Sequence, residues 1–150
     1  KQKNYLMKNL ILILLIYFPI LVNADWIYVA ESTGDKQGRG IGDIIYVASH
    51  FSTESGTNGE YRIFDLLTQK KKPMINSHRD KRLGLKGDIY RSAIANIKVD
   101  CEKPNEIFMV KTKYYSGNMG KNLVDTWDAS LWYQIGNHSP LSLAIEMICK

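Results

Sequence analysis

The chain has 150 residues, of which 45% are hydrophobic and 23% charged, with 20 Lys and Arg against 15 Asp and Glu for a formal net charge of +5. That length holds one domain with a single modest core. Lys1, Lys3 and Lys8 supply three of the positive charges with no acid around them, so residues 25–150 carry only +2, which excludes a strongly basic, nucleic-acid-binding reading.

Lys8 precedes an apolar run from Asn9 to Val22 (NLILILLIYFPILV), followed by Val22-Asn23-Ala24 and then Asp25. A basic start, an apolar stretch too short to span a bilayer comfortably and small residues at cleavage spacing predict a secretory signal peptide over 1–24. An uncleaved anchor is the alternative. Met7 is a plausible translation start, and the mature domain is expected at 25–150 with no membrane span after cleavage. No Cys follows the apolar run, so a lipid-modified N-terminus is not expected.

Trp26 to Ala30 (WIYVA) is aromatic and β-branched, as a strand requires. The loop after it holds Gly38, Gly40 and Gly42, yet no Lys-Ser or Lys-Thr ending follows and no helix pattern opens, so a mobile hairpin connection is preferred to nucleotide binding. Asp43 to Ser49 (DIIYVAS) and Glu60 to Thr68 (EYRIFDLLT) are the next strands, read as antiparallel neighbours around the polar spacer FSTESGTNG.

Gln69 to Lys86 (QKKKPMINSHRDKRLGLK) carries Lys70, Lys71, Lys72, Arg79, Lys81, Arg82 and Lys86 against Asp80 alone, a net of +6. The rest of the mature chain therefore sums to −4, and the molecule is electrically polarised. This segment is the candidate partner-binding patch for an acidic surface, polysaccharide or protein; the blander reading is a solvated connection.

Ile89 to Cys101 (IYRSAIANIKVDC) alternates, with Ala93, Ala95, Ile97, Val99 and Cys101 on one face. Glu106 to Tyr115 (EIFMVKTKYY) alternates as well, placing Phe108, Val110, Thr112 and Tyr114 on one face and Lys111, Lys113 and Tyr115 on the other. The two are expected to pair as a hairpin around the turn EKPN. The string Tyr114, Tyr115, Ser116, Gly117, Asn118, Met119, Gly120 then leaves the second strand, and its glycines and Asn tolerate positive φ. It reads as a turn with Tyr114 inward, although strand-exit loops also host binding residues. Leu123 to Trp127 resumes a short strand-like run.

At the C-terminus the period changes. Ser139-Pro140 is a helix start, with Ser as N-cap and Pro at the first helical position. Leu141, Ala144, Ile145, Ile148 and Cys149 follow the spacing of one apolar helical face. A helix of about eleven residues is too short to be stable alone, so packing and a crosslink must hold it.

Two cysteines, Cys101 and Cys149, remain after cleavage, and an exported chain with an even count is expected to bridge them. The loop of about 49 residues makes that bridge worth roughly 4 kcal/mol in loop-closure entropy. A strand ending in Cys101 under a helix carrying Cys149 places both on facing apolar surfaces. Two unpaired thiols are the alternative, and neither Cys has metal-ligand spacing to another Cys or a His.

No catalytic motif emerges. His50, His78 and His138 lie far apart, no metal-binding His pair or nucleophile elbow occurs, and Asp125 and Asp128 merely flank Trp127. No metal or cofactor is implied. Trp26 is expected in core or edge packing, and Trp132 is open.

Taken in order, Ala24-Asp25-Trp26-Ile27, the strand end Val99-Asp100-Cys101, Tyr114 to Gly120, the Trp-containing loop Leu131-Trp132 with Ile135, and Ile148-Cys149 make the chain resemble the bacterial surface-adhesin protein E family. SGNMG and the paired Cys spacing are the more specific features. Segments 34–60 and 69–86 differ from the family pattern, in which a YIDP-like strand is followed by a shorter basic stretch. The resemblance implies a six-stranded antiparallel sheet with a C-terminal helix packed across it, an α+β fold. It also implies a surface adhesin that binds host extracellular-matrix and plasma proteins and forms a homodimer. The family's named member is lipid-anchored, and no catalytic residues come with it.

The expected function is thus an exported, non-enzymatic binding module for a protein partner, of the host extracellular matrix or plasma, located in the periplasm or at the cell surface. The alternative is a periplasmic structural or envelope-assembly protein with no host ligand, using an open sheet edge. A small hydrolase with an unrecognised site is the third and weakest reading.

Overall fold

A computed structural model of the chain describes residues 25–34, 40–56, 59–75 and 89–150. The signal peptide expected over 1–24, Gly38, and Arg79, Lys81, Arg82 and Lys86 of the basic segment lie outside the described residues.

Six strands follow one another: β1 (Trp26–Glu31), β2 (Ile44–Gly56), β3 (Gly59–Ile75), β4 (Ile89–Asp100), β5 (Glu106–Tyr115) and β6 (Leu123–Gln134). They form one sheet in chain order, each antiparallel to the next. A helix, α1 (Pro140–Cys149), closes the chain. The expected six-stranded α+β architecture is therefore the observed one. β1 and β6 are the two edges.

The helix starts where Ser139 and Pro140 predicted. The Ser139 hydroxyl accepts from the Ser142 amide at 3.1 Å, and Pro140 supplies a first position that needs no N–H donor. Its buried stripe, Ala144, Ile145 and Ile148, meets Ile45, Val47, Phe64, Leu66, Ile97, Val99 and Ile107 of the sheet in one core. Fully burying a side chain such as Phe64 or Ile145 is worth roughly 1.5–3 kcal/mol. That stabilisation is what allows a ten-residue helix to persist.

Two further contacts fasten the far end of α1. Cys101 and Cys149 form a disulfide with their Cα atoms 5.5 Å apart, and the Arg62 guanidinium donates to the Ile148 carbonyl.

The strands are longer than the local patterns suggest. Of the spacer FSTESGTNG, Phe51 to Gly56 and Gly59 are strand. β2 and β3 stay paired from Phe51 opposite Phe64 out to Gly56 opposite Gly59, so the exposed stretch Phe51 to Ser55 of β2 extends the sheet along β3. Backbone pairing holds that exposed stretch, with Arg62 over the Phe51 ring and Lys98 paired to Glu54, whereas alternation of burial is the signal that sequence reading uses.

Lys70, Lys71 and Lys72 likewise belong to β3 rather than to a connection. Pro73, which has no amide to donate, sits inside the register shift between Gln69 and Met74, where β3 needs no ladder bond to β4. β6 runs on through Trp132 to Gln134, so the Trp-containing segment is strand and not loop, and Asp125 and Asp128 lie on it.

A bulge changes the faces of β5. Asn96 opposes Lys111 but its neighbour Ile97 opposes Met109, leaving Val110 as the additional residue. One inserted residue reverses the parity of everything before it. Ile107, not Phe108, therefore enters the core, while Thr112 and Tyr114 remain buried after the bulge.

Candidate partner-binding surface

One face of the sheet is covered by α1; the other is open, and the register determines what it presents. Ser52, Ile63, Lys98, Phe108 and Trp132 oppose one another in turn from β2 to β6, forming a single row. The Phe108 and Trp132 rings lie with centroids 5.2 Å apart. Trp132 is nevertheless 57% exposed. Within this row the Lys98 ammonium sits 4.4 Å from the Tyr61 ring centroid and 2.8 Å from the Glu54 carboxylate. A ring tilted against one neighbour and still more than half exposed is a pre-ordered apolar contact.

The next row is polar. Asp65, Asn96, Lys111 and Asp128 oppose one another; Asn96 donates to Asp65 at 2.8 Å and Lys111 lies 3.4 Å from Asp128. The bulged Val110 opens a hollow of about 320 Å³ here, bounded also by Ile94, Lys113 and Tyr115. Burial, followed by the charge of Asp65, raises the Tyr115 hydroxyl above its ordinary range. Tyr115 is a neutral hydrogen-bonding wall at physiological pH.

Tyr114, one residue earlier, points the other way. It is 7% exposed and packs edge-on against Tyr90 at 4.9 Å. Burial pushes its hydroxyl up to about 12, helped by the neighbouring Tyr90, Asp125 and Tyr133.

The rest of the turn is bolted to the sheet. Ser92, fully buried on β4, donates to the Gly117 carbonyl at 2.7 Å and accepts from the Gly120 amide at 3.0 Å. Gln69 on β3 accepts from the Met119 amide at 2.9 Å and reaches the Asn118 side chain at 3.1 Å. The residues with positive φ are Met119, Gly120 and Asn122, not Gly117 or Asn118. Gly117 is needed for space instead, because a Cβ there would lie 2.9 Å from the Lys121 carbonyl oxygen. Ser116 is exposed at the rim.

The basic segment divides. Lys70 is committed to an ion pair with Asp43 at 2.7 Å, both side chains largely buried, and Asp43 also accepts from the Lys71 amide at 3.1 Å. Lys71 and Lys72 are exposed. They stand at the opposite end of β3 from Ile63, about 25 Å away at strand rise. The structure therefore does not bring the lysines and the aromatic row together.

The aromatic row was not recognised from sequence. Its signal was the position of Trp132 opposite Phe108, which depends on the bulge. Among the described residues no cluster of His, Cys, Asp and Glu could hold a metal ion, and no helix is long and apolar enough to cross a membrane.

The sequence matches the surface-adhesin protein E family over residues 26–150. The chain belongs to the surface-adhesin protein E family. Its fold is similar to that of Haemophilus influenzae protein E, with a TM-score of 0.54 and 16% identity over 85% of this chain and 86% of that one. A second crystal form of that protein gives 0.51 and 18% over 82% and 95%. Protein E from non-typeable Haemophilus influenzae gives 0.51 and 15% over 87% and 79%. At such identities the likeness is one of fold. No curated protein matches the sequence. Within this surface-adhesin family, the SGNMG turn has a clear physical role here, since it is clamped between Gln69 and Ser92.

Proposed function

We propose that the chain is an exported, non-enzymatic binding module that engages a protein partner of the host extracellular matrix or plasma through the open face of its sheet. The observation that carries this reading is Trp132, held in place by Phe108 yet more than half exposed. Contact energy in protein complexes concentrates on such pre-ordered aromatic anchors, because little side-chain freedom is left to lose on binding. Lys71 and Lys72, continuing in sequence to Arg79, Lys81, Arg82 and Lys86, form a separate electrostatic contact that steers an acidic partner.

Surface-plasmon binding of the oxidised protein to a panel of matrix and plasma proteins, at low and high salt, tests this. Saturable binding is expected, with Trp132→Ala weakening it at least tenfold at either salt. Replacing Lys71 and Lys72 by Glu removes the salt-dependent part. Absence of binding at micromolar concentration throughout the panel overturns the host-ligand reading.

One observation favours a second reading, a periplasmic structural role. Asp125, Asp128 and the irregularity at Ala129 and Ser130 blunt the first part of the β6 edge, but its end, Leu131 to Gln134, exposes Leu131, Trp132 and Tyr133 with no charge and no Pro to discourage edge pairing. Such an edge can add a strand from a second copy or from another chain. A sedimentation coefficient that rises with concentration at high salt, without host ligand, supports it.

A further inference from the structure

A cavity of about 450 Å³ lies between the β4–β5 turn, the segment before α1 and the end of α1, and both bridged cysteines, Cys101 and Cys149, form part of its wall. Both cysteines are half-buried rather than buried. Asn105, His138, Glu146 and Lys150 surround the same space.

A disulfide enclosed in a core is reduced only when the protein unfolds, since the attacking thiolate needs room behind one sulfur. Here a hollow of the folded protein borders both bridged cysteines. The lining is mostly polar, with Asn105, Asn137, His138, Ser142 and Lys150 around the bridge and Glu146 as its one acidic side chain, so an incoming thiolate meets no dense negative charge.

We propose that the Cys101–Cys149 bridge is a native-state exchange site for low-molecular-weight thiols, and that exchange unlatches α1. The thiolate of the small molecule attacks one sulfur of the bridge, forming a mixed disulfide as the Cys101–Cys149 bond breaks. The displaced cysteine leaves as a thiolate and takes a proton from water. A second thiol molecule can then release the first as a small-molecule disulfide, leaving both cysteines reduced. After the first step α1 keeps its apolar contacts and the bond from Arg62 to the Ile148 carbonyl, but loses its covalent tie to β4. A helix of ten residues then opens locally without the sheet.

The test is kinetic. The oxidised protein is exposed to increasing 2-mercaptoethanol in native buffer, quenched by alkylation and weighed by mass spectrometry; its unfolding rate is measured separately by urea jump. The expected rate rises in proportion to thiol without a plateau, and a thiol carried on a long polyethylene glycol reacts at least tenfold more slowly. Asn105→Trp and Asn137→Trp, which fill the cavity without touching the bridge, slow the small thiol by a similar factor with unchanged urea midpoints. Hydrogen exchange of Ala144 to Ile148 accelerates after the reaction while β3 and β4 stay protected. A rate that saturates at the unfolding rate, or one that ignores thiol size and both cavity-filling variants, overturns the exchange site. Loss of protection in β3 and β4 together with α1 overturns the latch.

Discussion

The hydroxyl of Ser92 is fully buried and donates to the carbonyl of Gly117, 2.7 Å away and 25 residues further along the chain. With the Gly120 amide donating back at 3.0 Å, one small side chain satisfies both arms of the turn that follows β5. The turn is thereby part of the sheet's own hydrogen bonding, and Gly120 lies so close to β4 that a Cβ there would meet the Ile94 Cδ1 at 2.8 Å.

Ser92→Ala should therefore leave a carbonyl and an amide unpaired at a buried position. The expected cost is about 2 kcal/mol, the range for orphaned buried polar groups. A lowered urea midpoint with an unchanged slope is the outcome to look for, and a shift equivalent to less than half a kcal/mol would show that the turn is held by Gln69 alone.

The disulfide makes a second, larger prediction. Cys101→Ser with Cys149→Ser removes a crosslink over 48 residues and should lower stability by roughly 4 kcal/mol. Ile145→Ala, which empties a fully buried position on the same helix, should cost about 3 kcal/mol. Denaturant unfolding of each variant checks both values.

Asp43 is nearly buried and holds the Lys70 ammonium and the Lys71 amide. Asp43→Ala strands a largely buried positive charge and should destabilise by about 3 kcal/mol. Lys72→Ala, on an exposed neighbour, should change stability by less than about 0.5 kcal/mol. Equal effects at the two positions would contradict the described ion pair.

Tyr114 predicts a pH dependence at the alkaline end. Its hydroxyl ionises near 10 when unfolded and at about 12 when folded, because burial disfavours the phenolate. The folded state binds the proton more tightly, so this stabilisation is complete below pH 10 and is lost as pH rises from 10 through 12. Tyr90 and Tyr115 are raised as well, so Tyr114→Phe should flatten the alkaline decline without abolishing it. Melting temperatures between about pH 9 and pH 12, a span that brackets ordinary tyrosine ionisation, read the difference directly.

The alternation that puts Ala95, Ile97 and Val99 in the core, the Ser139-Pro140 cap and the apolar spacing behind it were legible because each is a local pattern with a physical period, whereas the burial of Tyr90 and Ser92, of the opposite parity on β4, was not. The site was less so. Trp132 stands opposite Phe108 on the open face because Val110 bulges from β5 and β6 carries its own extra residue at Ala129 and Ser130, and Lys70 leaves the basic patch because Asp43, just before β2, pairs with it.

By itself, then, the sequence determined the element types, the antiparallel succession of the strands and the identity of the crosslink, since periodicity, capping and an even cysteine count act over short range or allow one solution. Which face each β5 side chain occupies, which lysines remain free, and how Ser92 and Gln69 secure a turn far along the chain were decided only by the tertiary structure. Those features depend on register, and register is set by pairing between strands that no single segment encodes.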